Sequence, residues 1–329
     1  MSTMKDIAKR AGVGLGTVSR VVNGTGPVSD ETRDRVHAAI KELDYRPNKI
    51  ARKLVSGNRG SGFFGVLMPL FIHPFYFYIL RGIYRFVEEM DMNLILFNRG
   101  KHPEQAMSHI LQEDIIGLFV MSHDLSREEE QMLNHEKLLY CYLDYHKPHR
   151  PSVYVDNRYG GKLAAEHILS KGLKYPAYVG DVGNPQQQID RFNGFQRRLE
   201  ESDISVVGKK LVPNQFESDT AVEELLKEHP EIDSIFFFSD SHALESLPAV
   251  ARWEKDLEII GYDDLDFTGF LGLTTIHQPK DEIGYEAARL LYRLINDTVL
   301  LGEQEIILKP GISVRGPLAL EHLRNRSMK

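Results

Sequence analysis

Residues 4–57 read MKDIAKRAGVGLGTVSRVVNGTGPVSDETRDRVHAAIKELDYRPNKIARKLVSG, and the apolar positions in this stretch recur at helical spacing. Met4 to Ala11 carries Ile7, Ala8 and Ala11 on one face, with Thr3 placed to cap it. Gly12-Val13-Gly14 makes a turn. A second helix of about eight residues then carries Val18, Val21 and Val22 at the same spacing, and Asn23-Gly24 ends it. Ser29 is an N-cap for a third helix, with Asp30 and Glu31 in the first turn and Val36, Ala39, Ile40 and Leu43 as its apolar stripe. Three such helices can share one small core.

Two short helices joined by a glycine-containing turn are the helix-turn-helix arrangement, whose second helix enters the DNA major groove. With the apolar stripe turned inward, Leu15, Gly16, Thr17, Ser19, Arg20 and Asn23 remain outside. Small residues near the N-terminus of that helix permit close approach to bases, and Arg20 can reach a guanine edge. Charge is distributed to match. The whole chain carries -7, yet residues 1–60 hold twelve Lys and Arg against six Asp and Glu, leaving 28 against 41 for the remainder. Basic charge concentrated at one end suits phosphate neutralisation by a small head. The glycines at 14 and 16 do not make a dinucleotide loop, because no strand precedes them and no third glycine is correctly spaced.

Read whole, the stretch resembles the DNA-binding head and hinge of the LacI/GalR family, without a gap over about 55 residues, and a looser resemblance continues to the region near Pro317. The resemblance implies a base-reading pair at Leu15 and Gly16, with Arg20 also facing the groove. Leu15-Gly16 departs from the polar pairs of several members, which leaves the operator sequence open. The resemblance further implies that the segment after Tyr45-Arg46-Pro47 is a hinge helix in the minor groove, with Leu54 as the wedge that parts a base step. Asn48 can cap it, Lys49 to Val55 holds no breaker, and Ser56-Gly57 ends it. So short a helix is unstable alone in water and should order only against its dimer mate on DNA. The DNA contacts expected are Thr3, Leu15, Gly16, Thr17, Ser19, Arg20, Asn23, Tyr45, Asn48, Ala51 and Leu54.

From Phe63 onward short apolar runs alternate with amphipathic helices: FFGVLMP, Phe75 to Met90, NLILF, Pro103 to Glu113, GLFVMS and LLYCYLD. A second series follows, with helices at Arg158 to Lys171 and Ile189 to Leu199 and strands at YPAYVG, SIFFFSD and LEIIGYD. The expected fold is an all-α helix-turn-helix head over 1–46, a hinge helix and linker over 47–60, and an α/β domain over 61–329. The resemblance makes the last a two-lobed, periplasmic-binding-protein-like domain with parallel sheets, the chain crossing several times. One lobe would take about 61–158 and 279–305, the other about 159–278 and 306–320.

Ligands of doubly wound sheets bind beyond the C-terminal ends of strands. Asp144, Asp240, Asp263 and Gln278 each follow such an apolar run. Arg191 lies in IDRFNGF, where the family has an effector-gripping arginine. The resemblance places Phe75 and Tyr76, in LFIHPFYFY, where the family's first helix approaches its effector, and Phe216 offers a further aromatic face. Carboxylates with an arginine bind adjacent hydroxyls while an aromatic face covers the C–H side of a ring. A sugar or sugar phosphate fits this set best, with a purine-type corepressor as the alternative.

Enzymatic signals are weak. Ser122-His123-Asp124 has the residue types of a triad, but sequence neighbours cannot adopt its geometry. VGDVGN at 179–184 lacks the lysine of a phosphate loop, and no Cys/His spacing suggests a metal. The lone Cys141, within an apolar run, reads as a buried thiol. No stretch approaches a membrane span, and the polar N-terminus carries no export signal, so the chain is expected in the cytoplasm. These features predict no enzyme, cofactor or metal. They predict a homodimeric, effector-controlled repressor on palindromic operator DNA; the competing reading is a sugar-binding protein whose basic helices serve assembly.

Overall fold

The helical periodicity of the first forty residues is realised as α1 (Met4–Ala11), α2 (Leu15–Asn23) and α3 (Asp30–Glu42). This computed structural model describes residues 4–23, 28–43, 62–69, 73–183, 185–253, 255–296 and 304–320, and the chain divides into one unit over Met1–Ser61 and another over Gly62–Lys329. Helix α1 closes on Gly12 at φ +64°, and the Val13 amide donates back to Ala8 O at 3.0 Å. That left-handed turn is strained for any side chain and free for glycine. The carbonyl of Gly14 then accepts from the amides of Thr17 and Val18, which starts α2. Ile7, Val18 and Val36 are fully buried between the three helices, with Ala11 and Ala39 beside them. Thr3, Tyr45, Asn48, Ala51, Leu54 and the expected hinge helix over 47–60 lie outside the described residues.

In the larger unit two six-stranded sheets carry the two lobes. The first runs β11-β5-β4-β3-β1-β2, from β1 (Phe63–Met68), β2 (Asn93–Asn98), β3 (Ile115–Met121), β4 (Tyr140–Leu143), β5 (Ser152–Val155) and β11 (Glu305–Leu308), with every pairing parallel. Parallel strands covered on both faces need apolar residues on both, which is why they read as unbroken apolar runs. Phe64, Phe119 and Cys141 pack on one side against α4 (Pro74–Glu89) and α13 (Lys280–Ile295). Leu67, Leu118 and Tyr142 pack on the other with α5 (Pro103–Gln112) and α6 (Arg127–His135).

The second sheet runs β12-β10-β9-β8-β6-β7, from β6 (Pro176–Asp181), β7 (Gly208–Val212), β8 (Ser234–Phe237), β9 (Glu258–Asp263), β10 (Thr274–His277) and β12 (Gly311–Ser313); only β10 with β12 is antiparallel. Helices α7 (Asn157–Ser170) and α8 (Gln186–Glu200) cover one face. The other is covered by α9 (Ser218–Glu228), α10 (Asp240–Glu245) and α11 (Leu247–Arg252), and the short α12 (Thr268–Leu271) follows β9.

The chain passes between the lobes three times, at Asp156, at Gln278-Pro279 and at Lys309-Pro310. The last crossing corrects the boundary expected at 305/306. Ile306 and Leu308 of β11 pair with Val153 and Val155 of β5, so ladder hydrogen bonds hold 306–308 in the first sheet. Asn157 and Arg158, assigned by sequence to the first lobe, open α7 in the second.

Among the described residues, each lobe has a helix pair in backbone contact. A Cβ on Gly161 of α7 would stand 1.9 Å from Arg191 O, and one on Gly194 of α8 would stand 1.9 Å from Arg158 O. The same reciprocal approach occurs between Gly82 of α4 and Gly284 of α13. Only glycine permits this closeness, and at the α7–α8 crossing it fixes the height of Arg191 above the sheet.

Candidate effector cleft and nucleic-acid interface

Helix α2 turns Val18 into the head's core, which presents Leu15, Gly16 and Arg20 to solvent; Leu15 is 48% exposed, an unusual place for a large apolar side chain. The Arg20 guanidinium lies beside Gly16, 3.9 Å from where a Cβ would be, at ordinary van der Waals distance. Thr17 is half-buried at the edge of this face. Ser19 and Asn23 belong to α2, but their side chains fall outside the described set.

The strand ends of the two sheets bring Asp144, Arg191, Asp263 and Gln278 into one buried cluster. Arg191 is 3% exposed. Its Nε donates to Asn157 Oδ1 at 2.8 Å and its Nη1 to Phe238 O at 2.8 Å, while its plane lies 3.6 Å from the centre of the Tyr262 ring. Tyr262 in turn donates its hydroxyl to Asn157 Oδ1. The guanidinium is therefore held from three sides. Asp263 Oδ1 stands 4.0 Å from Arg191 Nη1 and accepts from Gln278 Nε2 at 2.7 Å. Asp263 and Asp264 both have positive φ, 119° and 55°, and Lys280 Nζ donates to both their carbonyl oxygens, bracing a turn that non-glycine residues rarely adopt.

Across the cleft, Asp144 ends β4 with φ 52° and accepts from Ser122 Oγ at 2.8 Å. Burial raises the Tyr76 phenol, Asp144 adding to the shift and Ser122 opposing it. Gln187 of α8 reaches over from the second lobe and donates to Asp144 O at 2.5 Å. Phe75 is 5% exposed and packs in the first lobe's core, its ring edge-on to Tyr76 at 5.8 Å between centres.

Two expected residues stand apart. Asp240 is fully buried, and its carboxylate is already occupied: Leu265 N donates to Oδ2 at 2.9 Å and Thr275 Oγ1 to Oδ1 at 2.6 Å. It ties β9, β10 and the start of α10 together. Phe216, on a 3-10 turn (Gln215–Glu217) that packs against α10, is 72% exposed. Sequence reading missed Asn157, Gln187, Tyr262 and Lys280. Asn157 obeys the strand-end rule, since it follows SVYVD, but a run of four residues is a faint signal.

Three buried carboxylates face two cations here. Burial pushes the Asp144 carboxyl up to about 6, against the pull of Arg191 and Ser122. Burial also raises Asp263 despite Arg191, and raises Asp240, to which Asp263 adds. Lys280 is lowered by burial, its acidic neighbours opposing the shift. Asp264, on the outer side of the same turn, goes the other way: burial works upward, but hydrogen bonds from His277, Arg315 and Ser313 hold it far below the usual carboxylate range. A surface cavity of about 570 Å³ opens beside it, lined by Tyr78, Arg81, Phe270 and Lys280 among others.

Among the described residues no group of three or more His, Cys, Asp and Glu could hold a metal ion, and no helix is long and apolar enough to cross a membrane. The sequence profile of the lacI family of bacterial regulatory proteins matches residues 3–48, and that of the periplasmic binding protein-like domain matches residues 165–316. A ribose operon repressor of Halalkalibacterium halodurans is 32% identical over 308 residues, covering 90% of this chain and 91% of its own length. The HTH-type transcriptional repressor PurR of Vibrio atlanticus is 28% identical over 312 residues, covering 90% and 93%. Among solved structures, the transcriptional regulator CelR in complex with cellobiose superposes with a TM-score of 0.69 at 26% identity, over 96% of this chain and 99% of that one. A three-helix head, two lobes crossed three times and a relative this similar along nine-tenths of the sequence lead to one conclusion: the chain belongs to the lacI family of bacterial regulatory proteins.

Proposed function

We propose that the chain is a transcriptional repressor which reads a palindromic operator as a homodimer through α2, under the control of a neutral sugar held between the lobes. The observation that carries the effector reading is a set of buried acceptors without donors. Asp144 Oδ1, Gln187 Oε1 and Gln278 Oε1 have no hydrogen-bond partner among the described residues. Such oxygens cost free energy until a donor arrives. The hydroxyls of a sugar supply several donors on one rigid frame. A phosphate brings acceptors and negative charge to a site that already holds the carboxyls of Asp144 and Asp263, so a free sugar suits it better than a sugar phosphate. Asp144, Arg191, Asp263 and Gln278 are the proposed polar contacts. Phe75 and Tyr76 supply the apolar wall, Phe216 lies at the rim, and Asp240 acts indirectly by fixing the strand ends that carry Asp263. The ribose operon repressor among the relatives supports a pentose.

Calorimetric titration with D-ribose, D-ribose 5-phosphate and hypoxanthine tests the effector. Tighter binding of the phosphate or of the purine base than of the free sugar would sink it. Selection from random-sequence DNA tests the head: a two-fold symmetric motif is expected, and recovery of no motif would leave the basic helices to assembly instead.

A further inference from the structure

One buried group at the cleft makes no use of its free nitrogen. His242, in the first turn of α10, is 5% exposed, and its Nδ1 lies 2.8 Å from Ser239 Oγ. The same oxygen accepts the backbone N–H of His242. When the Ser239 hydroxyl donates to Nδ1, one of the two pairings this contact allows, the ring proton sits on Nε2. Nε2 is buried and has no hydrogen-bond partner among the described residues.

The neighbours of the ring place it at the effector site. It packs at 5.7 Å from the ring of Phe238, whose carbonyl anchors Arg191 and whose face lies 5.0 Å from the guanidinium. Across the cleft stands His73, the N-cap of α4. Its Nδ1 accepts from Phe75 N, so its Nε2–H is directed to Ser241 Oγ at 3.4 Å, a bond between the lobes. Burial keeps the His242 ring neutral, its pKa pushed down to about 4 with His73 adding to the shift. His73 is lowered by burial as well, although Asp263 opposes that. Neither ring is therefore a cation awaiting an anion. Each is a neutral N–H donor.

We propose that His242 is a specificity-determining residue, whose Nε2–H donates to a lone pair of the 2-, 3- or 5-hydroxyl oxygen of the sugar. This rests on the sugar reading of the cleft. It completes the recognition pattern: Asp144, Gln187 and Gln278 each await a hydroxyl hydrogen, whereas His242 awaits a lone pair. A ligand lacking that one oxygen forfeits the bond and leaves the N–H buried and unpaired, and such sites discriminate strongly.

The test measures affinity for D-ribose and its 2-, 3- and 5-deoxy analogues in the parent, His242→Leu and His242→Gln. Leucine removes the donor; glutamine returns one at nearly the same reach. For D-ribose, leucine is expected to cost at least tenfold and glutamine less than threefold. One deoxy analogue should bind the parent and the leucine variant equally, because the partner oxygen is already gone. Equal D-ribose affinity in parent and His242→Leu, or the same loss for every analogue, overturns the assignment. Imidazole ¹⁵N spectra of the parent give a second readout that needs no variant: the Nε2–H resonance should shift on saturation with D-ribose, and an unmoved resonance also overturns it. If the parent binds none of these sugars, the sugar reading itself falls and the assignment with it.

Discussion

Replacing Asp144 by asparagine should make the protein more stable while impairing its response to effector. The side chain is 4% exposed and its carboxyl is raised to about 6 from an ordinary 3.8, chiefly by burial. A carboxyl with a raised folded pKa binds protons more tightly in the native state than in the unfolded one, so its ionisation lowers stability as pH climbs from 3.8 towards 6. Integrating over that interval gives a penalty of about 3 kcal/mol at pH 7.5, roughly half of that at pH 5 and about 0.6 kcal/mol at pH 4. Asparagine is nearly isosteric, still accepts from Ser122 Oγ, and cannot ionise. The gain from Asp144→Asn should therefore be largest near neutrality and nearly vanish at pH 4. Urea unfolding followed by circular dichroism at the three pH values measures it. A gain independent of pH, or a loss at pH 7.5, would refute the idea that a desolvated charge is held here at a cost.

Sugar affinity should fall below about pH 6, by up to tenfold per pH unit, because hydroxyl donors prefer ionised Asp144; calorimetry from pH 5 to 8 checks this, and a flat profile counts against that contact. Arg20→Ala should cost about 1 to 3 kcal/mol on the cognate operator and relax the preference at one base pair. Uniform weakening across operator variants would assign Arg20 to phosphate instead. Gly194→Ala forces a methyl to 1.9 Å from Arg158 O and should destabilise the larger unit by about 3 kcal/mol or more, whereas Gly14→Ala, with nothing within 4 Å, should be near neutral in thermal unfolding.

The head was legible in the sequence because three apolar stripes and one glycine turn leave a three-helix core little choice. The lobes were legible as alternating strands and helices, but their boundaries were not. The run EIIL at 305–308 carries no mark of which sheet it joins, and only its ladder to β5 decides. The cleft shows the same division. Asp240 and Asp263 both follow an apolar strand and look alike in sequence. Their difference comes from Leu265 N and Thr275 Oγ1, which take both oxygens of Asp240, while Asp263 keeps its carboxylate beside Arg191. Hydrogen-bond saturation is a property of the folded arrangement. For the same reason nothing in SDSHAL separates a satisfied histidine from one whose Nε2 is unpaired.

The backbone-tight crossings of α7 with α8 and of α4 with α13 leave neither lobe room for its helices to slide. The lobes are joined at 156, 278–279 and 309–310, and two of these connections contain a proline of fixed φ, so relative rotation would have few torsions to use. The middle crossing is also bonded to the cleft, for Gln278 holds the Asp263 side chain and Lys280 holds its carbonyl. The residues proposed to grip the effector and those of the middle crossing are thus partly the same atoms. Affinity and amplitude of response cannot be tuned separately at this position, and a change made to sharpen one will be felt in the other.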